Sequence, residues 1–276
     1  RLIIAAFCDA LKDFFSKKNL TNTHPIIGAL ALRLFALPLI LVALFFIEIP
    51  EVGPLFFPAL VVGGSINILV NVLYMKALKA SDLSLSVPML TFTPLFMLLT
   101  SPIMIGEWPN AIGIVGVVFI VVGSWVLNFK KAQKGIFLPF KALLSEKGPR
   151  YMLLIAFIWS ITANIDKIGI KNSSALFWAI CISSYLAIGL IPVALIFAKG
   201  HIKELWHLKR PFSLIGAVTS ILFLSQMYAM SLTLTVYTIS IKRTSALIGV
   251  LLGVVFLKEK NLKNKLVAVI LMLTGV

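Results

Sequence analysis

Apolar residues run through this chain in long blocks separated by short polar breaks. A membrane span takes about 20 mostly apolar residues. Ten stretches approach or reach that length: 2–18, 24–47, 53–78, 83–105, 109–129, 150–170, 174–198, 211–233, 235–257 and 262–276. Turn formers and charges interrupt them at Glu48-Ile-Pro-Glu51, Ala80-Ser-Asp82, Gly106-Glu-Trp-Pro109, Lys199-Gly200 and Lys258-Glu-Lys260. The division near Leu234 rests on length alone. The chain opens on Arg1 and stops inside an apolar run at Val276, so both termini read as clipped. The pattern predicts an all-α integral membrane fold of about ten transmembrane helices.

The longest polar interruption, KKAQKGIFLPFKALLSEKGP at 130–149, falls near the centre. It divides the chain into a first five-helix repeat at 1–129, a basic linker at 130–149 and a second five-helix repeat at 150–276. Sliding the sequence on itself by 152 residues sets Glu107 on Glu259, Gly123 on Gly275, Ala77 on Ala229 and Thr93 on Ser245; a shift of 154 sets Pro38 on Pro192 and Lys17 on Lys171. Five spans per copy is an odd number, so the second copy enters the membrane upside down. That is the inverted-repeat design of secondary transporters, with the substrate held near the midplane.

Composition agrees. The chain is 60% hydrophobic and 13% charged, about half the charge of a soluble domain. The net charge of +15 would suggest nucleic acid in a soluble protein; here the basic residues lie between apolar runs and report topology and contact with membrane lipid, not nucleic acid. Loops after the odd-numbered spans hold 18 of the 25 basic residues, and loops after the even-numbered spans hold two, Lys167 and Lys171. The positive-inside rule therefore places the odd-numbered loops in the cytoplasm and both termini outside, in a multi-pass protein of the plasma or inner membrane. Cys8 and Cys181 both sit in apolar runs and form no metal or disulfide pattern.

Candidate chemistry lies inside the spans, where a charge is costly and by default marks a functional site. Lys242 and Arg243 stand about eight residues, roughly 12 Å, into the ninth span. Thr235, Thr238, Lys242, Ala246, Gly249 and Gly253 form one small and polar stripe at helical spacing, which turns Lys242 toward the bundle. Arg243 lies about 100° round that helix, toward a helix–helix contact. Arg33 is equally deep in span two and suits either an ion pair or a substrate anion. Asp9, Asp13 and Asp166 are the candidates for proton coupling or ion pairing, Asp9 being the deepest; Lys12 lies between the first two, and Asn164 and Lys167 flank the third. Asn67, Asn71 and Tyr74 form a polar stripe in span three, and Gln226 and Tyr228 a polar pair in span eight. Trp159 and Tyr185 suggest an aromatic wall. Pro88, Pro94 and Pro102 kink span four. Glu107 and Glu259 suit helix-end capping. His24, His201 and His207 all read as loop residues. No phosphate-binding loop, zinc motif or nucleophile elbow occurs, so the chain reads as a non-enzyme with no cofactor and no metal.

Two strings, YMKALKASDLSLSVPMLTFTPLFMLL followed by GEWPNAIGIVGVVFIVVG, and YAMSLTLTVYTISIKRTSALIGVLLGVVFLKEKNLKNKLVAVILMLTG, repeat one pattern, once per half. In these the chain resembles the drug/metabolite transporter superfamily, in particular its EamA-type ten-helix transporters; Ala246 departs from the pattern, since the first half has Pro94 there. The Lys242-Arg243 pair is similar to the Lys-Arg pair of plastid sugar-phosphate translocators, which implies a grip on phosphate. The resemblance also implies cytoplasmic termini, opposite to the loop charges. Together these readings predict a monomeric secondary transporter that moves a small anionic metabolite by alternating access, with substrate contacts from Lys242, Arg243, Arg33, Asn67, Asn71, Tyr74, Gln226, Tyr228 and Trp159. A lipid-linked carrier or flippase component, and an exporter of amino acids or cationic drugs, are the alternatives.

Overall fold

A computed structural model of the chain describes residues 2–20, 22–81, 86–126, 146–245 and 274. Among the described residues there are nine α-helices: α1 (Leu2–Leu20), α2 (Pro25–Val42), α3 (Phe56–Ala80), α4 (Thr93–Ile105), α5 (Ala111–Val126), α6 (Lys147–Lys171), α7 (Ala175–Phe197), α8 (Glu204–Leu232) and α9 (Thr235–Arg243). Five of them are long and apolar enough to cross a membrane: α2 with its 3-10 extension to Phe46, α3, α6, α7 and α8. The expected span at 262–276, apart from residue 274, and residues 246–257 of the ninth lie outside the described residues, with the stripe positions Ala246, Gly249 and Gly253 and the capping candidate Glu259.

Local chemistry sets the helix ends. Pro25 opens α2, where its missing N–H costs nothing. The Ser174 hydroxyl accepts the Phe177 N–H at the start of α7. Gly106 closes α4 at φ 66°, a left-handed conformation that favours glycine. The expected break near Leu234 is present: Thr233 is extended, and α9 starts at Thr235. Two expectations change. The sequence pattern places span eight at 211–233, but α8 begins at Glu204 and carries His207, so that histidine is helical. Span four is not one helix; Val87–Phe92 is a 3-10 turn that passes into α4 at Thr93, as expected where prolines remove backbone donors.

The helices pack in reciprocal pairs. α1 lies against α8 and α9, while α6 lies against α3 and α4; α2 packs on α8 as α7 packs on α3; α2 and α7 meet each other, as do α4 and α9. A second correspondence is chemical. Lys17 of α1 donates to the carbonyls of Leu78 and Ser81 at the end of α3, and Lys167 of α6 donates to those of Met230 and Thr233 at the end of α8. Each acceptor in the second pair lies 152 residues after its counterpart in the first, as the sequence offset predicted. The lysine match is corrected: the residue equivalent to Lys17 in this role is Lys167, not Lys171.

At the basic end, His24 and His201 stack at 4.8 Å, and Glu204 accepts the His24 backbone N–H at 2.7 Å and meets His201 Nδ1 at 2.6 Å. Burial, and then the neighbouring His201, push the His24 imidazole below its ordinary value.

With lipid outside, apolar burial drives helix association little, and close backbone approach matters more. The contact of α2 with α8 is of this kind. A Cβ on Gly216 would meet the main chain of Phe35 at 2.5 Å and of Ala36 at 2.8 Å. One turn on, the Ser220 hydroxyl donates to the Ala36 carbonyl at 2.8 Å. Gly216→Ala is therefore expected to force these helices apart and to cost about 1–3 kcal/mol. Gly200→Ala, with open space around it, is expected to leave the melting temperature of the purified protein where it was. Equal melting of both variants would contradict the packing assigned to this contact.

Candidate functional site

Between the two sets of helices lies a cavity of about 800 Å³, its opening included. α1, α2, α3, α4, α6, α7, α8 and α9 all reach its walls. Its polar lining comprises Lys12, Arg33, Asn67, Asn71, Tyr74, Thr93, Trp159, Thr162, Asp166, Thr219, Gln226, Lys242 and Arg243. Eight of the nine residues expected to contact substrate are in that set.

One wall is an ion-pair cluster. Asp9 and Asp13 are one helical turn apart on α1, and Lys12 lies between them, with Nζ 2.7 Å from Asp9 Oδ1 and 3.2 Å from Asp13 Oδ1. The Tyr74 hydroxyl donates to the same Asp13 oxygen, and the Ser245 hydroxyl donates to Asp9 Oδ2 at 3.2 Å. Lys242 stands 4.0 Å from Asp9 Oδ1 and donates to Gln226 Oε1 at 2.8 Å. The expected inward turn of Lys242 is present, on the face that also buries Thr235 and Thr238.

Three charged residues of the walls stand apart from that cluster. Arg33 donates from Nε to Asn71 Oδ1 at 2.9 Å and lies 5.7 Å from the Phe223 ring. Arg243 donates from Nη2 to Thr93 Oγ1 at 3.1 Å and lies 5.1 Å over the Trp159 ring, while its Nε is buried with no hydrogen-bond partner among the described residues. Asp166 accepts the Trp178 indole N–H at 3.0 Å. Among the described residues, none of the three has an oppositely charged side chain within 4.0 Å. Arg33, which suits either an ion pair or a substrate anion, thus makes its side-chain hydrogen bond to Asn71, and Arg243 faces the cavity rather than only a helix neighbour.

Other expectations move. Tyr228 is not among the residues lining the cavity: two residues from Gln226 is about 200° of helix rotation, and the residue is 36% exposed. Tyr185 bonds Ser65 at 2.9 Å away from the cavity, so the aromatic wall is Trp159 with Tyr74, ring centroids 5.4 Å apart. Asn164 ties α6 to α4 through Ser101 and Thr100. Lys167 is no loop charge but is buried 3.3 Å from Glu107, and Glu107 in turn accepts the Thr235 N–H that opens α9. Phe223, Thr162 and Thr219 are cavity residues that sequence reasoning passed over; Phe223 lies one turn from Gln226 and Thr219 two, which was the available signal. Among the described residues no cluster of metal-ligating side chains occurs.

The model of the EamA-like transporter family matches this chain twice, over residues 2–129 and 147–276. No curated protein sequence matches with significance. Among solved structures, one titled only as the crystal structure of a protein aligns with TM-score 0.69 at 15% identity, covering 99% of this chain and 94% of that one. At that identity the likeness is one of fold.

Proposed function

This chain belongs to the EamA-like transporter family, a family of membrane transporters, and from that premise we propose that it is a secondary transporter of a small anionic metabolite. The two five-helix halves act as inverted repeats that rock around the cavity and expose it to each side in turn. The reciprocal packing and the matched lysine caps of α3 and α8 support this arrangement. The membrane is the plasma or inner membrane.

The observation that carries the anionic substrate is the state of Arg33 and Arg243. Two guanidinium groups line one cavity, each held by a neutral side chain and an aromatic face, and among the described residues neither has a carboxylate oxygen within 4.0 Å. A guanidinium left that way in a low-dielectric bundle is stabilised by an anion that brings its own charge. Lys242 adds a third cation, held by Gln226. The polar groups of Asn67, Asn71 and Tyr74 then face the rest of the molecule.

A thermal-shift screen of the purified protein against anionic, zwitterionic and cationic metabolites tests this, because a ligand that binds only the folded state raises its melting temperature. Anionic compounds should give the shifts. Arg243→Gln should melt like the wild type without ligand, since it strands no carboxylate, and should lose the anion-dependent rise. Shifts from cationic compounds alone would turn the assignment toward an exporter of cationic drugs.

A further inference from the structure

Among the described residues three carboxylates stand in or behind the cavity walls, and they are not equivalent. Asp9 is held by Lys12 at 2.7 Å, with Lys242 at 4.0 Å. Asp13 shares Lys12 at 3.2 Å and accepts the Tyr74 hydroxyl. Asp166 is 7% exposed, lines the cavity directly, and has a neutral indole N–H as its hydrogen-bond donor. Among the described residues no cationic nitrogen approaches it within 4.0 Å. The sequence singled out Asp9 by depth alone; the geometry points to a different residue.

We propose that Asp166 is the proton-binding site of this cavity, the carboxylate that exchanges a proton with solvent while Asp9 and Asp13 stay tied to Lys12. A buried carboxylate with no cation in ion-pair contact is stabilised by positive charge that comes closer, and a proton is the smallest. The step is simple: one proton from solvent binds a carboxylate oxygen, and the same proton leaves when the cavity opens to the other side.

The surroundings couple this to the anion. Among the described residues, the other charged or titratable groups on the cavity walls are Lys12 of α1, Arg33 of α2, Tyr74 of α3, and Lys242 and Arg243 of α9; α4, α7 and α8 bring none to the walls. On α6 itself the adjacent Lys167 turns away to Glu107 and the end of α8. The walls therefore carry more positive than negative charge around Asp166. An anion on Arg33 or Arg243 cancels charge that otherwise repels a proton, so proton and anion bind cooperatively. This role in coupling rests on the transporter reading of the cavity.

The test is the infrared carbonyl stretch of protonated carboxyl groups, followed in the purified full chain as pH is lowered. The wild type should show a pH-dependent band that Asp166→Asn loses and that Asp9→Asn and Asp13→Asn retain. Should Asp166→Asn fail to fold, Asp166→Glu moves the carboxyl by one methylene and should shift the band and its midpoint. A band that survives Asp166→Asn, or stays unmoved in Asp166→Glu, overturns the inference, and so does a wild type with no titrating band. The band reports proton binding whether or not anything is transported, so its absence leaves the anion site standing, while failure of the anion screen leaves the band interpretable.

Discussion

Replacing Glu107 by Gln is expected to lower the stability of the purified protein by about 3 kcal/mol, the low end of the cost of breaking a buried ion pair by removing one partner. Glu107 is 8% exposed and joins three elements. It sits in the loop after α4, its Oε1 lies 3.3 Å from Lys167 of α6, and its Oε2 accepts the Thr235 N–H at 2.7 Å. Gln keeps an oxygen for that N–H and removes the charge. Lys167 is then left buried with carbonyls alone, which is why the cost stays near the lower bound. Lys167→Met should cost at least as much, because it strands Glu107 and also frees the carbonyls of Met230 and Thr233. The double variant should be less destabilised than the sum of the two, as expected when both members of one buried pair are removed together. Denaturation of the detergent-solubilised variants gives all three values; additive losses would show that the pair does not couple α4, α6 and α9.

That network also shows what the sequence makes legible. The helices themselves were readable, since α1, α3, α6 and α7 begin and end within three residues of the expected spans. The cavity was readable as well, because a cation or amide inside an apolar span has few places to go except the bundle interior. Partner choice was not. Arg33 reads equally as half of an ion pair or as a substrate contact, and its hydrogen bond to Asn71 is not legible, since partner choice depends on which helix faces pack across 38 residues of sequence. Lys167 looks like a loop charge because it lies one turn from the end of α6, and what buries it is the approach of Glu107 and of the last carbonyls of α8, both distant in sequence. Tyr228 was grouped with Gln226 by nearness in sequence, whereas helical rotation sends it outward. The lysine match failed for a related reason: the offset between halves is 152 along the third helices but 150 where Lys17 and Lys167 act, and no one shift aligns both.

Lys242→Gln is expected to lower the affinity for an anionic substrate by roughly 10- to 150-fold, the equivalent of losing one charge-assisted hydrogen bond of about 1.5–3 kcal/mol. Lys242 lines the cavity on the buried face of α9, and its ammonium is held by the neutral Gln226 at 2.8 Å, with Asp9 at the edge of ion-pair range. The substitution does not leave Asp9 alone, since Lys12 remains 2.7 Å from it and Ser245 still donates to its other oxygen. Folding should therefore survive, in contrast to the Glu107 and Lys167 variants, and a glutamine at 242 can still hydrogen-bond Gln226. The two roles give different outcomes: a variant of a lysine that serves mainly as a counter-ion for Asp9 would lose stability, while a variant of one that faces a substrate anion would lose binding and keep its melting temperature. Ligand titration and uptake into proteoliposomes, run beside wild type with an anion that the thermal screen identifies, separate them. Wild-type affinity in Lys242→Gln would remove the ammonium from the anion site and leave Arg33 and Arg243 to carry it, and a large fall in melting temperature would assign Lys242 to the α1–α9 contact instead.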